Sequence, residues 1–332
     1  MDDGGMALSL GKCRSAVNHA ALILLAHGVR VALACAPVNE GPEAILEFGV
    51  IDESDDFIVI AKPAPLIVHP SNGRDEPTLL CGLEELLAFE VANGKKPAII
   101  TRLDRETSGL VLVAKHTDAA RHLAMSLQFR DAEKEYIALV HGRPEWMEVT
   151  VDQPIIRQGL IQPSAIWLKR TVHESGRESL THFRLVRSWE NQLGVFSEIA
   201  CLPVTGRTHQ IRVHLSHLGL PIVGDKIYGS DETTFLDFID HGWSDALRTR
   251  MILPRQALHA ARLKIPWGGA MREWHCPLPA DLSHWMNDPD AVSFPSQESV
   301  GSPSISANLA ILSAHIPIAL SKAGTHLSIN SL

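Results

Sequence analysis

No CxxC pair occurs among the five cysteines of this 332-residue chain; Cys13, Cys35, Cys81, Cys201 and Cys276 stand far apart. An odd, dispersed set in a chain this long excludes a disulfide framework and a zinc cage, and it points to reduced thiols in a cytoplasmic setting. Also missing is an uninterrupted apolar run of the roughly 18 residues that a bilayer span needs. The nearest candidate, AALILLAHGVRVALACAP from Ala20 to Pro37, follows Lys12 and Arg14 as a signal peptide would, but His27 and Arg30 break its apolar core. Neither export nor a membrane partner is expected, and the stretch reads as a helical extension or a gene start placed too far upstream. A basic excess is lacking too, since 30 Lys and Arg against 38 Asp and Glu leave a formal charge of -8. That excludes a globally basic nucleic-acid binder while leaving room for a local basic groove. There is no HExxH, no GxSxG, no GK[ST] and no GxGxxG, which argues against a zinc protease, a hydrolase serine and a nucleotide-cradling loop. No internal repeat is present.

What is there suits a globular protein with a sizeable core: 45% of residues are hydrophobic and 20% charged. Residues 1–44 are Ala-rich and carry no motif. The folded body runs over 45–288, and 289–332 is Ser-rich and aperiodic, as expected of a disordered tail. Within the body, FIVIAKP (Phe57 to Pro63), GLVLVAK (Gly109 to Lys115) and YIALVHG (Tyr136 to Gly142) have the length and composition of buried strands. LHAARLKIP alternates, with Ala261, Leu263 and Ile265 on one face and Arg262 and Lys264 on the other. Helices are predicted after Thr117, taken as an N-cap, and over RTHQIRVHLSHLG, where Ile211, Leu215 and Leu218 make a stripe and Gly219 and Pro221 supply a stop. Thr208 and Arg212, four apart, fall on one face of that helix. Short strands dominate without a βαβ rhythm, so the fold class is α+β, built on a largely antiparallel mixed sheet with flanking helices.

TRLDRETSGLVLVAK, Thr101 to Lys115, places Asp104 between Arg102 and Arg105 at the mouth of a buried strand. An aspartate beside arginines in a loop is commonly a surface ion pair or a turn former. Positive neighbours are also what a carboxylate needs if it must stay ionised in a partly dry cleft. An aspartyl-phosphate enzyme would use an Asp at a strand edge as well, but no threonine follows at the matching distance and no Mg²⁺ cluster accompanies it. His209, His214 and His217 lie close together, yet a separation of five turns His209 away from His214 on a helix, and no acidic third ligand stands near. These histidines read as packing and hydrogen-bonding residues, and no metal is expected.

RLDRETSGLVLVAK, KEYIALVHG and TGRTHQIRVHLSHLGLPIVGDKIYG, in that order, closely resemble the motifs of the RluA family of pseudouridine synthases. AKPAPLIVHPSNG (Ala61 to Gly73), LHAARL (Leu258 to Leu263) and CPLPADL (Cys276 to Leu282) match as supporting pieces. The resemblance covers roughly Ile45 to Asn287. It implies the pseudouridine synthase fold with a central RNA-binding cleft, and isomerisation of specific uridines in structured RNA (ribosomal or transfer) without cofactor or metal. It makes Asp104 the catalytic aspartate, Tyr136 the active-site tyrosine and Arg212 the partner of the aspartate. Those residue types suit such roles. A guanidinium holds its charge and can grip a carboxylate bidentately. A tyrosine offers a flat face to a flipped base. Attack on the base, attack on the sugar and abstraction of a sugar proton are all consistent with an aspartate in that position.

Arg102, Arg105, Arg207, Lys226 and Lys62 are the candidate RNA contacts, each weighed against an ordinary salt bridge. The first motif usually opens with His, and here Thr101 stands in its place; a hydroxyl replaces one hydrogen bond of an imidazole but not its charge. Pro65 stands where the early loop often has Gly, which stiffens it. Nothing upstream resembles the small S4 RNA-binding module of some relatives, so target choice is expected to rest on the catalytic body, acting as a monomer. The rival reading is a non-catalytic RNA-binding or RNA-folding protein on the same scaffold; the set Asp104, Tyr136 and Arg212 discriminates, because binding alone would not require it.

Overall fold

The computed structural model describes residues 20–25, 28–35, 44–69 and 78–287. In its first half the chain forms β1 (Ala20–Leu25), β2 (Gly28–Cys35), β3 (Ala44–Glu53), β4 (Phe57–Lys62), α1 (Leu79–Leu86), α2 (Ala88–Ala92), β5 (Ala98–Ile99), β6 (Ser108–Ala114), α3 (Thr117–Gln128), β7 (Glu133–His141) and β8 (Glu148–Asp152). It continues with β9 (Ile155–Arg157), β10 (Arg170–Val172), β11 (Leu180–Asn191), β12 (Gly194–Pro203), α4 (Gln210–His217), α5 (Glu232–His241), α6 (Asp245–Met251), β13 (Leu258–Trp267), β14 (Ala270–His275) and α7 (Ala280–Asn287). Twelve strands make one sheet in the order β1-β2-β3-β4-β6-β13-β7-β12-β11-β8, with β14 on β13 and β5 on β6; β9 and β10 pair separately. Every pairing in the large sheet is antiparallel except β13 with β6. The α+β, largely antiparallel sheet expected from the sequence is the fold observed.

The apolar run of β6 is buried along its whole length because both of its faces are covered. Val111 and Val113 pack with Ile58, Ile60 and the α1 residues Leu79 and Leu83. The alternate residues Leu110, Leu112 and Ala114 pack with Phe57, Val59 and Leu123 of α3. A period of two thus feeds two layers from one strand, and each fully buried aliphatic side chain contributes roughly 1.5–3 kcal/mol. A third core joins Leu139 of β7, Phe183 of β11, Ile199 of β12, Leu215 of α4 and Trp285 of α7.

Three local expectations need correction. Ala20–Leu25 and Gly28–Cys35 are antiparallel strands that extend the sheet from β3, and not a helix. Apolar runs this short are ambiguous by period alone, and pairing with β3 decides between the two. Helix α3 is capped one residue earlier than predicted: His116 takes the cap, its Nδ1 accepting from the Ala119 N–H at 3.3 Å. Thr208 lies outside α4, which begins at Gln210, so it does not share a helical face with Arg212. His214 is fully buried, with its ring nitrogens on Thr181 Oγ1 (2.9 Å) and the Gln153 carbonyl (3.0 Å), a hydrogen-bonding role as expected. The expected 289–332 tail lies outside the described residues.

One glycine is dictated by the parallel pair. Gly109 sits at φ +115°, and a Cβ there would lie 2.2 Å from the Ala260 carbonyl oxygen. Only a residue without a side chain lets β13 approach so closely. That approach carries Gln256, just before β13, up to the turn in front of β6.

Candidate active site

The turn from Asp104 to Thr107 closes with the Thr107 N–H donating to the Asp104 carbonyl at 3.1 Å. It is clamped from several sides. Lys62 Nζ donates to the carbonyls of Pro63 (2.8 Å), Leu66 (2.9 Å) and Arg105 (3.2 Å). Lys226 Nζ reaches the Glu106 carboxylate and the Pro254 carbonyl, each at 2.6 Å. Arg255 grips Asp281 with two nitrogens and donates to the Glu106 carbonyl at 3.3 Å, while Gln256 Nε2 donates to Thr107 Oγ1 at 2.6 Å.

Lys62 and Lys226 are therefore corrections as RNA contacts. Both are buried, and their ammonium groups are spent on holding this turn. Burial, followed by the nearby Arg255, draws the Lys62 ammonium down to about 7. Its three carbonyl acceptors nonetheless match three N–H donors, which only the charged form supplies. Lys62→Met should accordingly lower stability by about 3 kcal/mol, because carbonyls are left buried without donors. Thermal unfolding measures this, and a melting temperature equal to the parent's would remove Lys62 from the clamp.

With its backbone fixed, the Asp104 side chain faces a cleft of about 780 Å³ and stays 31% exposed. Arg212, on the buried face of α4, donates from Nη1 to Asp104 Oδ2 at 2.8 Å. Its two-pronged grip goes elsewhere. Nε and Nη2 donate to the two oxygens of Asp225 at 2.6 and 2.8 Å, and Asp225 is fully buried. The fork expected on Asp104 is thus formed with Asp225, which also accepts the N–H groups of Ile227 and Tyr228.

His209 completes the carboxylate's surroundings. It sits in the left-handed region at φ 59°, directly before α4, with Nε2 at 3.8 Å from Asp104 Oδ2 and Nδ1 at 2.8 Å from the Tyr228 hydroxyl. That hydroxyl also accepts the Arg170 N–H at 2.9 Å, and donation of its own proton to Nδ1 would leave the His209 proton on Nε2, toward Asp104. Burial, then Arg212, pushes His209 down to about 4, so the ring is neutral at neutral pH. Burial opposes the charge on Asp104, but His209, Arg212 and a Gln256 hydrogen bond together hold its carboxyl below the usual range. A neutral His209 contributes little of this, which leaves Arg212 as the dominant stabiliser.

Tyr136, half-buried on β7, lines the same cleft. Burial and then the Asp104 charge raise its phenol, which stays neutral. Arg102 and Arg105 are exposed on the rim, and Arg207 lines the cleft with its Nε on the Glu178 carbonyl at 2.9 Å. Thr101 is buried, its hydroxyl accepting the Leu112 N–H at 2.8 Å, so it ties the motif to β6. The cleft thus gathers Asp104, Tyr136, Arg212, Arg102, Arg105 and Arg207. Sequence reasoning missed Asp225, His209, Tyr228 and Gln256 as site residues. An acid inside the apolar run IVGDKIYG was a usable signal for Asp225, whereas nothing in the sequence marks Gln256.

An ionised carboxylate pinned by a permanent cation, at the floor of a cleft with a neutral aromatic wall and arginines on its rim, can act on a flat base brought in from an anionic polymer. Comparison with known proteins agrees. Residues 56–217 match the model of the RNA pseudouridylate synthase family. Ribosomal large subunit pseudouridine synthase D of Haemophilus ducreyi is 36% identical over 245 residues, covering 71% of this chain and 69% of that protein. The protein of the same name from Escherichia coli K12 is 37% identical over 239 residues, covering 70% and 68%. Among solved structures, human RNA pseudouridylate synthase domain containing 1 superimposes with a TM-score of 0.53 at 26% identity, over 70% of this chain and 84% of that one.

Proposed function

The chain belongs to the RNA pseudouridylate synthase family, and from that premise we propose that Asp104 is its catalytic carboxylate and large-subunit ribosomal RNA its substrate. It is an isomerase that converts uridine in RNA to pseudouridine. The observation that carries the site assignment is the Asp104–Arg212 contact of 2.8 Å in the cleft lined by Tyr136. The target uridine flips out and stacks against Tyr136, and Asp104 initiates cleavage of its N-glycosidic bond. The freed uracil turns while held in the cleft and rejoins the sugar through C5, where the hydrogen it replaces leaves as a proton while N1, released from the sugar, gains one. Arg212 keeps Asp104 ionised without giving up its own proton. Retention of the detached base falls to the apolar wall and the clamped turn, which allow little reorganisation. The rim arginines Arg102, Arg105 and Arg207 meet the phosphate backbone, giving an acidic chain a local basic approach. The body from 45 to 288 carries this chemistry as a monomer in the cytoplasm. The choice of RNA follows the names of the curated relatives.

The test uses large-subunit ribosomal RNA transcribed with uridine tritiated at C5. Forming the new bond at C5 must release tritium to water, in proportion to the pseudouridine found after digestion. Release from this RNA is the expected result. Binding without release would instead support a non-catalytic RNA-binding role.

A further inference from the structure

The strand β7 opens Glu133-Lys134-Glu135-Tyr136, and alternation sends the two glutamates to one face and Lys134 with Tyr136 to the other. On the outer face the charges are matched. Arg262 Nε meets Glu135 at 3.1 Å and Nη1 meets Glu133 at 3.2 Å, and Lys264 meets Glu133 at 3.2 Å. On the cleft face Lys134 is half-buried and has no such match. Its Nζ spans toward the loop before α4, lying 3.9 Å from where a Cβ on Gly206 would stand. Among the described residues no carboxylate or carbonyl engages this ammonium, and burial alone pulls it below the usual lysine range. The contrast with Lys62 and Lys226 is sharp, since each of those buried cations has its acceptors in place. Among the described residues lining the cleft the one carboxylate, Asp104, is already committed to Arg212.

A desolvated cation left without a counter-charge is unfavourable in the free protein, and an anion entering the cleft removes that cost. Uracil and ribose are neutral, so the only anionic group an RNA can bring there is a phosphodiester. Resting on the RNA-isomerase reading above, we propose that Lys134 binds the backbone phosphodiester flanking the flipped uridine, beside Gly206 and Tyr136. Lys134 is a positioning residue. It draws the strand into the register that sets the base against Tyr136, while the chemistry stays with Asp104. A side chain on residue 206 would narrow the same seat.

Two variants in the full chain test this, Lys134→Met, which keeps the stem without the charge, and Lys134→Arg, which keeps the charge. Affinity for the same large-subunit ribosomal RNA is measured at several salt concentrations, together with KM and kcat for tritium release. Lys134→Met should weaken binding roughly tenfold and flatten the salt dependence by about one counterion, with the loss larger in KM than in kcat. Lys134→Arg should restore the slope and most of the affinity. Equal slopes for parent and Met variant, or an Arg variant no better than Met, would overturn the assignment and leave Lys134 a packing residue. A parent that releases no tritium would count against the substrate reading instead, with the binding measurements still deciding on Lys134.

Discussion

Asp104→Asn is expected to abolish tritium release, by more than roughly 10³-fold, while RNA affinity stays near the parent value. Asparagine fills almost the same volume and can still accept the Arg212 hydrogen bond of 2.8 Å, so the cleft keeps its shape. What disappears is the negative charge and the electron pair it offers. Affinity should survive because the proposed phosphate contacts are the arginines of the rim and not the carboxylate. Activity within tenfold of the parent would remove Asp104 from the chemistry. The pH profile of the parent adds a second check. Asp104 is held below the usual carboxylate range, so its ionised form persists to acid and is lost only as pH falls through that depressed value. His209 is already neutral at neutral pH, its value being about 4. Asp104 and His209 should therefore add no ascending limb through the ordinary histidine range. Lys62, drawn down to about 7, can only cost activity there as pH rises and the clamp loses its charge. An ascending limb in that range would mean that another group must lose a proton during catalysis.

Much of this site could be read in the chain before folding, and the reason is local. Asp104, the turn after it and β6 are contiguous, so RLDRETSGLVLVAK displays carboxylate, hinge and buried strand in one line. The sheet class was equally visible, because β4, β6, β7 and β13 are apolar runs of strand length with clear boundaries. What could not be read is where a side chain goes once partners distant in sequence arrive. Lys62 and Lys226 look like phosphate contacts in their motifs, but their acceptors, the carbonyls of Leu66, Arg105 and Pro254 and the carboxylate of Glu106, assemble only in the folded chain. The same holds for Gln256, brought to Thr107 by a parallel strand pairing that Gly109 permits. Even the expected pairing of Arg212 with Asp104 left the geometry hidden, since the fork belongs to Asp225.

That geometry makes Arg212→Lys the second most damaging single change. Arg212 serves two carboxylates at once: Nε and Nη2 lock onto the buried Asp225, and only then does Nη1 point at Asp104. Asp225 is in this sense the anchor, itself held by the N–H groups of Ile227 and Tyr228. The guanidinium also lies 5.0 Å from the centre of the Tyr228 ring, whose hydroxyl positions His209. A lysine ammonium is a point charge and cannot fill both ends of this bridge. It will settle against Asp225, where desolvation is most severe, and withdraw from Asp104. Turnover should fall roughly 10²–10³-fold, the scale for losing one aligned donor in a dry site. RNA affinity should change little, because Arg212 is buried behind the carboxylate. Since a poorly matched buried pair also destabilises, the melting temperature is followed alongside turnover and the comparison made where both proteins are folded. A folded Arg212→Lys protein that releases tritium at the parent's rate would show that a charge at that position suffices and that its fork with Asp225 does not aim it at Asp104.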